Sequence, residues 1–482
     1  MAVTVRDYIP SQGIGQALGA RSSRLSNATH AYTLLHLAEV YGAASERLLE
    51  EQAQRLEEAL HLFERFYGSG PVEVFRAPGR VNLIGEHTDY NHGYVLPMAL
   101  DKDILLLARP REDALVHLRN VEPTFEERVF AVAPDIPVRP AGDWANYAQG
   151  AAQLLAREWG FPLRGFDGLV DGRPPWGVPR GSGLSSSSAL TVAVATALVA
   201  FNHLPLSGPR LADACGRAEW YVGTRGGIMD QFISILAQRD HALFLDCRPL
   251  SPGGDYHYEH VPIPAGYRIV VVDSRTKHLN TGPLFNRRVA EGRIGVRLLQ
   301  RHYGRITHLR DVGHIPWQDL EPLLPEVITA EALRAQGIDP ATILDAGRDP
   351  ETDIFFVRRR CRHVITENQR VLESVRALQK GDAATFGALM CAAHASARDD
   401  YEISTPHIEA LVASAQAAPG CLGARITGAG WGGCIVALVE AEAVADFERS
   451  VKAAYRTQTG LEAEAFICRS APGAGCILST TI

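Results

Sequence analysis

The sequence lacks long apolar runs, paired cysteines and any obvious leader. Its 482 residues include eight scattered cysteines with no Cys-x-x-Cys spacing, so neither a disulfide framework nor a zinc site is expected. The most apolar stretch, residues 189–201, is interrupted by threonines and is shorter than the ~20 residues that a membrane span needs. Residues 1–10 have no apolar core typical of a secretory signal. We predict a cytoplasmic protein with no membrane partner.

The chain also has no excess of basic residues over acidic ones. The chain has 48 Lys and Arg against 55 Asp and Glu, a formal net charge of −7. A broad basic surface for nucleic acid is therefore not expected. The hydrophobic fraction of 46 % is ordinary for a globular protein, which excludes disorder and collagen-like repeats. A length prior of roughly 150 residues per domain suggests about three domains or two larger ones, and it leaves the oligomeric state open.

Helix and strand patterns mix without a regular alternation. Apolar residues at helical spacing predict a helix over 45–67 that stops at Gly68, and residues 185–202 are apolar on nearly every side, which predicts a central helix. A further helix is predicted over 355–378. The predicted strands are 72–75, 103–110, 242–245, 269–272 and 434–438. The irregular order favours an α+β fold over a doubly wound sheet.

Three segments are predicted from changes in composition. Residues 1–44 form an N-terminal extension, either an appended helix or a partly ordered arm. Residues 45–248 form an N-terminal lobe and residues 249–482 a C-terminal lobe. The boundary is placed at the run of Pro, Gly and Ser over 249–255.

Residues 181–188 read Gly-Ser-Gly-Leu-Ser-Ser-Ser-Ser and directly precede the central helix. Glycines let the backbone approach a ligand, and serines at a helix start collect hydroxyls and free N–H groups beside the positive end of the helix dipole. We interpret this loop as a phosphate site, because an N-cap in a linker needs only one serine. No Gly-Lys-Ser/Thr follows, so it is not a Walker loop.

A second glycine-rich stretch, residues 428–433, reads Gly-Ala-Gly-Trp-Gly-Gly and formally contains Gly-x-Gly-x-x-Gly. A dinucleotide fingerprint requires a strand before the loop and a helix after it, whereas a strand pattern follows here. We therefore expect a turn that lines the same pocket as the serine loop. A plain hairpin is the alternative.

Polar and ionisable groups are dense over residues 80–90, Arg-Val-Asn-Leu-Ile-Gly-Glu-His-Thr-Asp-Tyr. Carboxylates accept hydrogen bonds from vicinal hydroxyls, and a fixed set of acceptors rejects epimers, so the stretch suits a small polyol ligand. A solvated loop would not need the interleaved Leu83 and Ile84. Asp230 follows the double glycine 226–227 among apolar neighbours, where a lone aspartate is more often a cap or a surface charge.

Together these motifs resemble the sugar-kinase branch of the galactokinase/homoserine kinase/mevalonate kinase/phosphomevalonate kinase (GHMP) superfamily. Residues 80–100 resemble the galactokinase signature, 179–190 the ATP loop of the superfamily, 423–438 its third glycine motif, and 397–404 a further galactokinase stretch. The resemblance runs from about residue 63 to the C-terminus. It implies a two-lobed α+β fold of the GHMP-kinase type with the active site between the lobes.

The resemblance also implies ATP-dependent phosphorylation of galactose at its C1 hydroxyl. Asp230 matches the base that takes the hydroxyl proton, and Arg80 matches the arginine beside it, whose charge holds the aspartate ionised. Ser187 and Glu219 match the ligands of Mg²⁺. The sugar-binding set implied is Glu86, His87, Asp89 and the backbone of Gly227. The triphosphate cradle implied is Gly181, Ser182, Gly183, Leu184, Ser185, Ser186 and Ser187.

The sequence departs from the commonest bacterial galactokinase pattern at the sugar site. Alignment from His278 places Phe285 where a tyrosine usually contacts the sugar, and the third motif has Gly-Ala-Gly-Trp. These features resemble the eukaryotic galactokinase and N-acetylgalactosamine kinase group. Galactose is predicted, with an N-acetylgalactosamine 1-kinase as the alternative and L-arabinose as a third substrate. A non-catalytic sugar sensor is the rival from another class, and the uninterrupted serine loop argues against it.

Overall fold

The computed structural model describes residues 27–42, 45–223, 226–251, 254–276, 281–343 and 354–482. The helices are α1 (Asn27–Tyr41), α2 (Glu46–Tyr67), α3 (Ala145–Trp159), α4 (Ser186–Phe201), α5 (Gly208–Ala218), α6 (Met229–Leu236), α7 (Thr281–Tyr303), α8 (Trp317–Leu320), α9 (Ala330–Ala335), α10 (Val357–Gln379), α11 (Ala383–Asp399), α12 (Pro406–Gln416) and α13 (Val444–Thr459). The strands are β1 (Pro71–Asn82), β2 (Tyr94–Val95), β3 (Pro97–Pro110), β4 (Leu115–Asn120), β5 (Arg128–Ala131), β6 (Phe166–Asp171), β7 (His241–Asp246), β8 (Tyr258–Pro262), β9 (Tyr267–Asp273), β10 (Ile328–Thr329), β11 (Ile354–Phe355), β12 (Cys421–Ile426), β13 (Cys434–Glu440), β14 (Glu464–Cys468) and β15 (Gly475–Thr481).

A six-stranded sheet with the order β15-β1-β3-β6-β4-β5 organises the first half of the chain. Successive side chains of a strand point to opposite faces, and in β3 both faces are buried. Leu105 and Leu107 pack with α2 on one face, whereas Ile104 and Leu106 join the cluster that contains α3 and α4 on the other. This double burial explains the continuous apolar run of the predicted strand 103–110.

The predicted helices are confirmed, and their ends have local causes. Ser45 caps α2 by accepting a hydrogen bond from the backbone N–H of Leu48, and Gly68 ends that helix with a φ of +76°. The helix α4 is buried on almost every side, as expected for a central helix, and packs against β1 and β3. Because α4 begins at Ser186, its position in the core fixes the place of the serine loop.

A four-stranded antiparallel sheet with the order β12-β13-β9-β14 organises the second half. The predicted strands 269–272 and 434–438 lie in its adjacent central strands, β9 and β13. A second hydrophobic core covers this sheet and includes Phe447 and Tyr455 of α13 together with Leu411 of α12. Mixed sheets and helices without a regular alternation confirm the predicted α+β class.

The predicted boundary between the two lobes lies within a strand connection. The run 249–255, of which 252–253 lie outside the described residues, connects the paired strands β7 and β8. The C-terminal strand β15 pairs with β1 in the first sheet. The division into lobes at residue 249 therefore stays a prediction. In the extension, residues 27–41 form α1, and residues 1–26 lie outside the described part. Among the described helices, none is long and apolar enough to cross a membrane.

Candidate active site

Arg80 and Asp230 form a two-point ion pair. Arg80 lies near the end of β1 and Asp230 in the first turn of α6. The Nε–Oδ1 distance is 2.8 Å and the Nη2–Oδ2 distance is 2.9 Å. The carboxylate side chain is 24 % exposed and the guanidinium side chain 7 %. The structure thus brings together two predicted residues that are far apart in the sequence, and it leaves the carboxylate accessible.

The serine loop lies directly against this ion pair. The hydroxyl of Ser185 donates a hydrogen bond to Oδ2 of Asp230. Arg80 donates from Nη1 to the carbonyl oxygen of Gly183 at 2.5 Å and from its backbone N–H to that of Leu184 at 3.1 Å. Ser185 has a left-handed φ of +61°, which turns the chain into α4. The candidate base and the candidate phosphate loop therefore share one site.

Exposure divides the residues of the predicted cradle into two groups. The exposed or partly exposed residues are Gly181, Gly183, Ser185, Ser186 and Ser187. Ser182 and Leu184 are buried, so their side chains support the loop from behind. The first N–H groups of α4 have no partner within the helix, which is the arrangement that binds anions at helix N-termini.

The turn over residues 428–433 joins β12 to β13 and packs on the serine loop. A Cβ atom on Gly428 would lie 2.6 Å from the carbonyl oxygen of Gly183, and one on Gly433 would lie 2.9 Å from that of Ser182. Both distances are too short for any side chain, so this close approach requires glycine. The turn is therefore part of the same site, and the strand that follows it rules out a dinucleotide loop.

Asp89 lies against Gly227 and close to the candidate base. A Cβ atom on Gly227 would lie 2.0 Å from Oδ2 of Asp89, so no side chain fits at that position. The Asp89 carboxylate accepts a hydrogen bond from the backbone N–H of Met229. Burial, and then the charge of Asp230, raises the pKa of Asp89 to about 6. Gly227, the second residue of the double glycine, is thus required because any side chain there would collide with Asp89.

Glu86 is buried, with 2 % of its surface exposed. Its Oε1 atom accepts hydrogen bonds from the backbone N–H of Gly428 at 2.8 Å and from Nη1 of Arg425 at 3.3 Å. Burial raises the pKa of the Glu86 carboxyl, and the charges of Arg425 and Arg80 oppose that rise. Glu86 therefore connects residues 80–90, called here the polar signature, to residues 428–433, called the glycine turn.

His87 is held as a neutral imidazole. Its Nε2 atom lies 3.0 Å from the carbonyl oxygen of Ala429, which can only accept, so Nε2 carries the proton. Nδ1 then accepts from the hydroxyl of Tyr90 at 2.7 Å, and Tyr90 is bonded in turn to the hydroxyl of Tyr401 at 2.8 Å. Burial lowers the pKa of His87 to about 3. Both ring nitrogens thus have protein partners, and the ring positions the glycine turn.

Phe285 lies in the second turn of α7, beside the rings of His87 and Tyr90. Its ring centroid is 5.3 Å from that of His87 and 5.2 Å from that of Tyr90. The structure therefore brings Phe285 to the polar signature although the two segments are about 200 residues apart. A phenyl ring offers this wall of the site no hydroxyl.

Glu219 and Ser187, the predicted metal ligands, both adjoin Tyr147. The hydroxyl of Ser187 is hydrogen-bonded to the Tyr147 phenol, whose pKa is raised by burial and by the charge of Glu219. Glu219 accepts a hydrogen bond from Gln231 Nε2 at 2.8 Å and has no ion pair with an arginine or lysine of the described residues. Burial raises the pKa of Glu219 to about 7. A half-buried carboxylate with no ion-pair partner among the described residues, near a serine hydroxyl, fits a hard divalent ion.

The donor set for a metal is nevertheless small. Within the part of the chain that the structure describes, no group of three or more His, Cys, Asp or Glu side chains could hold a metal ion. A cation at Glu219 would therefore need other oxygen atoms, such as those of phosphate and water, to complete its coordination.

Several residues of the site were not foreseen from the sequence. The bond from Ser185 to the candidate base was not predicted, although Ser185 was placed in the cradle. Asp273, at the end of β9, accepts a hydrogen bond from Ser182 Oγ at 3.0 Å. Arg425 and Thr427 of the third motif bond the backbone of Asn82 at the end of β1. Their position inside the third glycine motif indicated that they lie near the site, but it did not identify the groups to which they are bonded.

Models of known families match three parts of the chain. The galactokinase galactose-binding signature matches residues 61–110, the GHMP kinases N terminal domain residues 146–238, and the GHMP kinases C terminal domain residues 374–457. The first match contains the polar signature, the second contains the serine loop and Asp230, and the third contains the glycine turn. The matched segments are thus the ones that meet at the site.

Known proteins are similar over most of the chain. The galactokinase of Roseiflexus sp. (strain RS-1) is 40 % identical over 86 % of this chain and 96 % of its own length. The galactokinase of Chloroflexus aggregans is 41 % identical over 87 % of this chain and 97 % of its own length. The structure of Lactococcus lactis galactokinase complexed with galactose superposes with a TM-score of 0.73 at 30 % identity, covering 88 % of this chain and all of that one. A mevalonate kinase of Methanococcus jannaschii shares the fold alone, with a TM-score of 0.53 at 16 % identity over 82 % of this chain and 98 % of its own.

Proposed function

The chain belongs to the galactokinase family of the GHMP kinases, and from that premise we propose that it transfers the γ-phosphoryl group of ATP to the C1 hydroxyl of galactose. One observation carries the proposal. Asp230 is bonded at the same time to Arg80 and to Ser185 of the serine loop. If ATP binds on the serine loop as proposed, this carboxylate lies beside its phosphates and can accept the proton of an attacking hydroxyl.

In the proposed reaction the C1 oxygen attacks the γ-phosphorus of ATP. The new O–P bond forms as the bond between the γ-phosphorus and the bridging oxygen breaks, and ADP leaves with that electron pair. The hydroxyl proton passes to Asp230. An aspartate is a weak base for an alcohol, so the proton is transferred late, after most of the O–P bond has formed. Arg80 orients the Asp230 carboxylate through two hydrogen bonds and offsets the negative charge of the phosphoryl group as it moves.

The sugar is held by the polar signature. Oε1 of Glu86 accepts hydrogen bonds from two protein donors, and the side chain of Asn82 also bonds to this carboxylate. We propose that its Oε2 atom accepts a hydrogen bond from a sugar hydroxyl. Asp89 supplies a second carboxylate, and the backbone at Gly227 allows the sugar to come close to it. His87 contributes by fixing the glycine turn at Ala429. An incorrect epimer would leave the buried Glu86 and the half-buried Asp89 without a hydroxyl partner, which is the physical source of selectivity.

The triphosphate of ATP is proposed to lie on the serine loop, over the N-terminus of α4. Ser187 and Glu219 would hold Mg²⁺ there. The bound ion would supply charge neutralisation of the phosphate oxygens. Until a cation binds, the raised pKa of Glu219, about 7, keeps part of this carboxyl protonated near neutral pH.

Phe285 is the observation that favours a second substrate. In the absence of a tyrosine hydroxyl at this wall, the site loses one polar contact and gains apolar surface beside Tyr90. A 2-acetamido group could be accommodated there, which would make N-acetylgalactosamine a substrate. The alternative of a non-catalytic sensor is not supported, because the serine loop is complete and is bonded to Asp230.

A panel of sugars with ATP and Mg²⁺ tests the proposal. We expect galactose to give the highest kcat/KM and its product to carry phosphate at C1, as determined by ³¹P and ¹H NMR of the product. N-acetylgalactosamine, glucose and L-arabinose serve as comparisons. A tenfold or greater preference for N-acetylgalactosamine would replace galactose as the substrate, and binding of sugar and ATP without product would favour the sensor.

A further inference from the structure

Arg425 is a fully buried arginine with few partners. It lies on β12, has no measurable exposure, and its Nη1 atom bonds the carbonyl oxygen of Asn82 at 3.2 Å and Oε1 of Glu86 at 3.3 Å. Its Nε and Nη2 atoms are buried and have no hydrogen-bond partner among the described residues. Burying a charged group with so few partners costs folding free energy, so its presence here points to a role that a neutral side chain could not perform.

Glu86 is the carboxylate that Arg425 contacts directly. Glu86 is the one carboxylate of the described residues with which Arg425 forms an ion pair. The charge of Arg425 also contributes to the lowered pKa of the buried Glu367 carboxyl, but Arg425 forms no ion pair with Glu367, so Glu86 is the carboxylate that it holds in place. Both groups lie in a region of low dielectric constant, where the interaction is much stronger than in water.

From this geometry we infer that Arg425 is the positioning residue of the sugar site: it keeps Glu86 ionised and holds its Oε1 atom, so that Oε2 faces the sugar as an acceptor. The inference rests on the proposed function, since it assigns a partner to a proposed sugar ligand. Arg425 itself touches no substrate in this arrangement.

The consequence of removing the charge follows from the burial of Glu86. Burial raises the pKa of the Glu86 carboxyl, and Arg425 is the first of the opposing charges. Without Arg425 this pKa rises further, so Glu86 becomes protonated at a higher pH. A protonated carboxyl has lost acceptor capacity, and the sugar then binds more weakly as the pH falls.

Other groups near Glu86 must be separated from this effect. The charged and titratable groups that face it are Arg425 on β12, Arg80 on β1, Asp89 in its own loop, and His363 and Glu367 on α10. His363 has a pKa lowered to about 4 by burial and stays neutral above pH 5.5. Asp89, with a pKa of about 6, titrates in the same range and does so in every variant, so only differences from the wild type are interpreted.

The test compares Arg425→Gln and Arg425→Lys in the full chain, with saturating ATP, between pH 5.5 and 8.5. For Arg425→Gln we expect the galactose KM, relative to wild type, to rise at least tenfold at pH 6 and less than threefold at pH 8.5, with kcat within threefold. Arg425→Lys restores the charge, so its KM ratio should be nearly independent of pH. An Arg425→Gln ratio that is equal at all pH values would overturn the inference, because a purely structural role predicts that result.

Glu86→Gln is the matched control, because it removes the titrating group and keeps its shape. We expect its galactose KM, divided by that of the wild type, to be raised by the same factor at every pH. The double variant with Arg425→Gln should give a KM ratio with no more pH dependence than that of Glu86→Gln alone. A pH dependence that survives in the double variant contradicts the inference. If Arg425→Gln fails to fold by thermal melting, Arg425→Met replaces it as the neutral variant: a KM ratio that rises toward acid pH supports the charge role, and a ratio that is equal at all pH values refutes it.

The outcomes also separate this inference from the proposed function. A Glu86→Gln variant with unchanged KM would remove Glu86 from the sugar site and refute that part of the proposed function. If the wild type turns over no galactose, the same series is measured as calorimetric binding of galactose. The pH dependence of the dissociation constant then tests Arg425 independently of catalysis.

Discussion

At the scale of single residues, the site depends on one carboxylate with two different neighbours. Asp230 accepts from Arg80 at both oxygens and from Ser185 at one of them. The arginine contributes charge, whereas the serine links the carboxylate to the start of α4. A variant that removes the charge but keeps the shape therefore separates the chemistry from the binding.

For Asp230→Asn we expect kcat to fall by a factor of about 10² to 10⁴, the usual contribution of a general base. The amide keeps the volume of the side chain, so the dissociation constants for ATP and galactose should stay within about threefold by calorimetry. Ser185→Ala is the control, since it removes one hydrogen bond to the same carboxylate and should cost only about tenfold in kcat. A kcat for Asp230→Asn within tenfold of wild type would exclude Asp230 as the base.

At the scale of elements, α1 contributes to a buried polar network. The hydroxyl of Tyr41 donates to Oδ2 of Asp103 at 2.6 Å, and Asp103 also accepts from Arg55 at 2.8 Å and from Arg76 at 2.5 Å. All four side chains are buried. Arg76 lies on β1, the strand that also carries Arg80. The helix of the N-terminal extension thus stabilises the strand on which the site is built.

For Tyr41→Phe we expect a loss of stability without a loss of chemistry. The variant removes one hydrogen bond to a buried charged group, which costs about 1.5 to 3 kcal/mol. Thermal melting should show a Tm lowered by several degrees, with kcat within twofold of wild type. Leu35→Ala is the control on the same helix, because Leu35 is 69 % exposed, and it should melt like the wild type. A Tyr41→Phe protein as stable as wild type would refute the role of α1.

Local signals explain which elements could be predicted from the sequence. The cap at Ser45 and the stop at Gly68 are adjacent to the helix that they bound, and the apolar surface of α4 is continuous along the chain. The pairing of β15 with β1 joins segments about 400 residues apart and has no such signal. For the same reason the partners of Asp273 and Arg425 could not be read from the sequence. The glycines 428 and 433 indicated a close approach, but not that the serine loop is what approaches.

At the scale of the whole molecule, the site contains carboxyl groups whose ionised form lowers the free energy of unfolding. Burial raises the pKa of Asp89 to about 6 and that of Glu219 to about 7. The folded state therefore holds these protons at a pH where the unfolded state has released them, so the two groups lower stability as the pH rises from about 4 to 7. His87, with a pKa of about 3, acts in the opposite sense, since the unfolded state binds its proton first below pH 6.5.

Asp89→Asn isolates one of these contributions. A rise of the pKa from 3.8 to about 6 corresponds to roughly 3 kcal/mol, present in full above pH 7 and reduced to about half at pH 5. The amide oxygen can still accept from Met229, so we expect the variant to melt several degrees above wild type at pH 8, by a margin that narrows toward pH 5, while its KM for galactose rises. Asp135→Asn, at a side chain that is 98 % exposed, should change neither quantity. If the variant is no more stable than wild type at pH 8, the ionised Asp89 carboxylate does not lower the free energy of unfolding. Substrate recognition by Asp89 would then not be obtained at the expense of stability.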